Sequence, residues 1–202
     1  MKRWFLLLAI ATRLCAQDLI AENVPEEITK SAVTAVQALG KEVVLGKYQV
    51  AIDKMYPHWK ERAAKRMGGM DKLEKQLEDV SKEMLKRGIS ITDFKPQGQP
   101  RGFEVYPGKA VQIVDGKETE VMRYTKWLVL VPTVTRVRML IKGDPVAVNY
   151  ESTGFQVAIC DKDSDEWYFI DGSGVTVSEL RSLFITLPEN LELPPLEKKQ
   201  IK

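Results

Sequence analysis

Gly154-Phe155-Gln156-Val157-Ala158-Ile159-Cys160, then Asp161-Lys162-Asp163-Ser164-Asp165, then Glu166-Trp167-Tyr168-Phe169-Ile170-Asp171-Gly172, reads as a β-hairpin. β-branched and aromatic residues suit a pleated, half-buried surface, and here two runs of them flank a five-residue polar connection. Further strands precede this hairpin, and a wholly helical first third precedes those strands. That order predicts an α+β fold in which N-terminal helices pack in a strongly curved antiparallel sheet, a cystatin-like α+β cone.

Working outward, Pro25 with Glu26 and Glu27 opens a first helix, in which Ile28, Ala32, Ala35, Val36 and Leu39 recur at helical spacing until Gly40 stops the run. Val44, Tyr48, Ala51, Ile52 and Met55 predict a second amphipathic helix ending at Pro57, the two forming a hairpin of helices. A short basic helix over 58–67, with Trp59 and Ala63 inward, breaks at Gly68-Gly69. Asp71 and Glu74 then have capping-box spacing, and Met70, Leu73, Leu77, Val80 and Met84 form one apolar stripe closed by Gly88.

Beyond Gly88 the hydrophobic period becomes two. Residues 89–94, 103–105 and 110–114 read as strand pieces, the last two interrupted by Pro107-Gly108. Asp115-Gly116 marks a turn, and 120–131 is the longest predicted strand, with Val121, Trp127, Val129 and Val131 on one face. Pro132 limits how that strand pairs, 134–140 continues extended, and Gly143-Asp144-Pro145 turns toward 146–150 and the hairpin. Thr176 and Glu179 cap a closing helical turn over 178–184. Residues 187–202, with Pro188, Pro194 and Pro195, read as an extended, peripheral C-terminal tail.

The first 16 residues stand apart from the fold. Lys2 and Arg3 precede an apolar run over 4–11 and then Cys15-Ala16-Gln17, the pattern of a secretory signal peptide cleaved after Ala16. The run falls well short of the roughly 20 residues that cross a bilayer as a helix, so no membrane span is expected. Arg13 and Leu14 depart from the small-residue box that precedes a lipidated cysteine, which favours a free secreted or periplasmic product over an anchored one. Residues 17–24 then form a short lead, 25–186 one domain and 187–202 the tail. Without Cys15 the mature chain keeps Cys160 alone, which excludes an intramolecular disulfide; alternating with Ala158, Cys160 reads as a small buried hydrophobe.

Lys and Arg number 30 against 28 Asp and Glu, and loss of Lys2, Arg3 and Arg13 leaves 27 against 28. A near-neutral chain supplies no long-range attraction for polyanions, so no nucleic-acid partner is expected. Arg136, Arg138 and Lys142 are the nearest approach to a basic face, and at period two without stacking aromatics they read as the solvent side of a strand.

Helices first, a third one after a Gly-Gly break, then long antiparallel strands ending in Glu-Trp-Tyr-Phe-Ile-Asp-Gly: this order resembles the nuclear transport factor 2-like superfamily over residues 26–173. Its most specific residues are Leu39-Gly40, Lys47-Tyr48 through Met55-Tyr56-Pro57, and the strand 167–172. The resemblance implies a bent sheet wrapped around helices, a cone whose mouth holds a small hydrophobic ligand, and dimerisation through the outer face of the sheet. It leaves activity open, since members include isomerases, dehydratases, hydrolases, accessory domains and partner-holding modules.

Enzymes of that superfamily rely on Asp with Tyr, His with Asp, or an Asp-Arg-Asp cluster. This chain has one histidine, His58, which follows Pro57 at a helix start and reads as solvated. Asp53, with Tyr48, Tyr56 and Tyr124, leaves an Asp/Tyr arrangement open, although Asp53 falls in a polar stripe between Lys47 and Lys54. No catalytic residue is assigned. Tyr56, Trp59, Tyr124 and Trp127 are the expected ligand-binding set, because Tyr and Trp join an apolar body to a polar handle.

Asp161, Asp163 and Asp165 resemble the opening of a calcium loop, but Glu166 stands where Gly is needed and Gly172 where a bidentate carboxylate is needed. No Cys/His cluster for zinc and no phosphate loop occurs, and Ser173 has no histidine to activate it. No metal or cofactor is therefore expected. The leading expectation is a non-catalytic binding or accessory module holding a small apolar ligand or a protein partner. The alternatives are a small lyase or isomerase using an Asp/Tyr pair, and a structural protein self-associating as a homodimer through the sheet face that carries Val129 and Val131.

Overall fold

The computed structural model describes residues 24–114, 116–140 and 146–201. The signal-peptide reading, Cys15, Asp115, Lys142 and the Gly143-Asp144-Pro145 turn lie outside the described residues. The fold is α+β, with helices on an antiparallel six-stranded sheet that does not close. Among the described residues no helix is long and apolar enough to cross a membrane.

Helix α1 (Glu26–Val44) begins after Pro25, with Glu26 and Glu27 against the positive end of its dipole. It runs through Gly40 rather than stopping there. Gly40 is a point of close approach: a Cβ on it would lie 2.2 Å from the Phe94 ring. The helix ends instead ahead of Gly46, whose φ of 79° only glycine adopts freely. Consequently the second helix, α2 (Gln49–Asp53), is a single short turn, and no hairpin of two long helices forms.

Helix α3 (Pro57–Met67) starts on Pro57 and is closed by Gly68 in the left-handed conformation. Helix α4 (Met70–Lys86) starts one residue before Asp71, so the expected capping box is not made, and Glu74 instead accepts from Lys60 Nζ at 2.9 Å. Of the α4 stripe only Leu73 is buried, while Val80 remains more than half exposed.

The strands are β1 (Ile89–Pro96), β2 (Arg101–Val114), β3 (Lys117–Leu140), β4 (Ala147–Asp161), β5 (Trp167–Asp171) and β6 (Glu197–Ile201). The opening hairpin is β4 against β5, with Cys160 opposite Trp167 and Gln156 opposite Asp171. β3 is one unbroken strand through Pro132. On one side it pairs with β4 from Lys126 to Leu140; on the other it pairs first with β2 and then with β1. Pro132 sits where β2 gives way to β1, and its carbonyl accepts from Gln97 N at 2.9 Å. The N–H that proline lacks would face the same handover, where no ladder bond is lost. β2 likewise survives Pro107-Gly108, with Tyr106 at φ 63° and its carbonyl held by the Thr125 hydroxyl at 2.9 Å.

Both faces of the sheet centre are buried. Ala32, Val36 and Leu39 of α1 cover Val129, Val131, Ala158, Cys160 and Phe169. Val129 and Val131 are thus not on an open face: α1 already covers both. On the opposite face Leu128, Leu130, Val157, Ile159 and Ile170 meet Tyr56, which precedes α3, together with Leu180 of helix α5 (Val177–Leu183) and Phe184 at its end. Segment 187–201 is not peripheral. Leu187 and Leu191 are buried in this second cluster, and β6 pairs with β4 residues 149–153. Two ion pairs to Glu151, from Lys199 at 2.8 Å and Arg136 at 3.0 Å, hold β6 and β3 to β4.

Candidate ligand cavity

A cavity of about 760 Å³ opens between the helices and the face of the sheet on which α1 packs. Its apolar wall comes from Leu39 and Val43 of α1, Ala51 and Ile52 of α2, Met55, Trp59 of α3, and Leu77 and Val80 of α4. The α4 stripe therefore has a partial explanation: Leu77 and Val80 line a space rather than meet a protein surface. Ile91, Phe94 and Val137 continue the apolar lining from β1 and β3, and Leu196, Glu197 and Lys198 border it where β6 begins. The volume lies within the ~300–1,000 Å³ typical of small-molecule sites.

The sheet side of the cavity is polar. Thr133 and Thr135 project from β3, Ser152 and Gln156 from β4, and Asp171 follows at the end of β5. These positions share one face because alternate residues of a strand do, and antiparallel pairing sets Gln156 between Val131 and Asp171. Gln156 is 9% exposed and Thr133 4% exposed, yet among the described residues neither side chain has a hydrogen-bond partner. Asp171 is committed to Ser173, whose backbone N–H and hydroxyl both donate to its carboxylate at 3.0 Å.

The four expected aromatics do not converge. Trp59 lines the cavity. Tyr56 is anchored elsewhere: its backbone N–H donates to Phe169 O at 2.8 Å, and its ring lies 5.5 Å from Phe184 on the far side of the sheet. Burial, with the nearby Tyr106 and Asp161 charges, pushes its phenol up to about 12. Trp127 packs at the edge of the α1 cluster under Lys162 Nζ, 4.1 Å from its ring centroid. Tyr124 stands opposite Pro107 on the β2–β3 ribbon. Tyr48 lines the cavity, whereas Asp53 is exposed and accepts from Gln49 Nε2 at 2.9 Å, so that Asp/Tyr combination is not assembled.

Cys160 is buried, and its thiol donates to the carbonyls of Asp161 and Ser164, so burial first and the Asp161 charge second push it up to about 11. A thiol so raised is a core group, not a nucleophile at neutral pH. Among the described residues no three His, Cys, Asp or Glu side chains gather where they could hold a metal ion. Comparison with protein-family models, curated proteins and solved structures finds no match for this chain. The residues that sequence reasoning missed are Gln156, Thr133, Leu77 and Val80. Gln156 carried a signal, as the one amide in the otherwise apolar run 154–160.

Proposed function

We propose that this protein is a non-catalytic binding module that holds a small, largely apolar ligand between α4, α1 and the sheet, in a cone of the nuclear transport factor 2-like kind. The single observation that carries this reading is the 760 Å³ cavity, lined by apolar side chains that the protein itself leaves without partners. Uncovered apolar surface in water is costly at about 25 cal/mol per Å², and a ligand burying it recovers that free energy. Secretion or periplasmic export is part of the proposal and rests on residues 1–16 alone.

The test is saturable binding of the neutral fluorophore N-phenyl-1-naphthylamine. Wild type is expected to enhance its emission, and Ala51→Trp, which fills the cavity from α2, is expected to abolish the enhancement while keeping the far-ultraviolet circular dichroism of the fold. Equal enhancement by both proteins would place the dye on the outer surface and remove the proposal. The lyase or isomerase alternative retains one feature, the presence of Tyr48 and Asp171 along the same cavity, and predicts turnover lost in Asp171→Asn.

A further inference from the structure

We infer that the ligand of this cavity is an uncharged amphipathic molecule, an aliphatic or aromatic body bearing one amide, hydroxyl or ester group, and that Gln156 and Thr133 take up that group. The inference rests on the cavity reading above and adds the chemistry of the head group. Gln156 offers two N–H donors and a carbonyl acceptor, and Thr133 a hydroxyl that serves as either. Both residues are at least nine-tenths buried and line the cavity, yet neither side chain is among the sealed-in polar atoms without a partner, so their polar atoms open onto the cavity itself. A ligand entering the cavity displaces water from these atoms, and leaving them unmet then costs about 1–3 kcal/mol each, which favours a ligand whose own polar group completes the bonds.

The absence of charge in the ligand follows from what surrounds these two residues. The ionisable carboxylate and ammonium groups along the cavity are Asp171, Glu197 and Lys198, all exposed. Asp171 is held by Ser173, and the Lys198 ammonium lies 4.7 Å from the Tyr150 ring centroid. None is a buried counter-ion for a charged head group at Gln156, and an unpaired buried charge is far more costly than a neutral hydrogen-bonding group. An amide head group matches the donor and acceptor inventory of Gln156 reciprocally.

Three probes of one chain length separate the outcomes: decanamide, decanoate and decylammonium, titrated into the full chain by isothermal calorimetry at neutral pH. Decanamide is expected to bind at least tenfold more tightly than either ion. Gln156→Leu, close in volume, is expected to weaken decanamide about tenfold and so to erase its advantage over decanoate and decylammonium, and Thr133→Val to weaken it less. Equal or tighter binding of either ion, or an unchanged decanamide affinity in Gln156→Leu, overturns the head-group assignment while leaving the cavity reading intact. Failure of all three probes and of the fluorophore to bind wild type overturns both.

Discussion

Tyr56 carries its hydroxyl into the core with no hydrogen-bond partner, one of two such buried oxygens among the described residues. Removing that oxygen leaves the packing against Phe184 and ends the cost of an unmet donor, so Tyr56→Phe is expected to raise stability by about 1 kcal/mol in urea unfolding. A lowered midpoint would mean the hydroxyl is satisfied in solution. The same site has a pH signature. The phenol is raised to about 12 in the folded chain against an ordinary 10, so the folded state holds its proton longer. The associated stability is whole below pH 10 and is lost as pH climbs through 12; Tyr56→Phe is expected to lack that component while keeping the alkaline losses from the raised Cys160, which start near pH 9, and from Tyr168, Lys54 and Lys82. Gly40 offers a prediction of opposite sign. Alanine there drives a methyl into Phe94, and a loss of about 1–3 kcal/mol is expected in the same assay, an unchanged stability showing that the ring moves aside at no cost. A glycine in a helical run reads equally as a stop or as a close contact, and only the partner strand decides between them. Gln156 is ambiguous in the same way, since an amide on a strand gives no hint whether it faces solvent or a cavity.

Elements defined by local chemistry were readable from the chain itself. The β4–β5 hairpin follows from alternation around a polar link, and α5 from its cap: the Thr176 hydroxyl accepts from Glu179 N at 3.2 Å while Glu179 Oε2 accepts from Thr176 N at 3.1 Å. Thr176→Ala is expected to cost about 1 kcal/mol, and a calorimetric midpoint lower by roughly 2–4 °C would register it. What could not be read was set by distant partners. Leu187 and Leu191 lie among prolines with no periodicity, and only the face presented by Leu128 and Ile159 draws them in. β6 depends on Glu151, whose carboxyl is held below its ordinary 4.5 by Lys199 first and Arg136 second. A lowered value means stability that is present above pH 4.5 and lost as pH falls through the folded value. Glu151→Gln is therefore expected to reduce hydrogen-exchange protection of β6 amides at pH 7, with the gap from wild type closing in acid; equal protection at pH 7 would show that backbone pairing alone holds the strand.

At the scale of the whole molecule, two long strands carry everything else. β2 and β1 succeed one another along the outer side of β3, and β5 and β6 do the same along the outer side of β4. Both changes of neighbour fall at one level, around the Pro132–Phe155 pair. The sheet is therefore two half-sheets sewn together only by β3 and β4, with a seam across the middle. Above it lies the core under α5; below it lie β1, β6 and the cavity margin, and α1 packs on both the sheet centre and β1. The lower half should open without the upper, so native-state hydrogen exchange is expected to resolve two cooperative units, with residues 133–139 and 149–153 exchanging before 127–131 and 156–160. A single common opening free energy would contradict this. Gln156 and Thr133 stand on opposite banks of that seam, and a molecule gripping both would act as a rivet, turning a divided sheet into one mechanical plate.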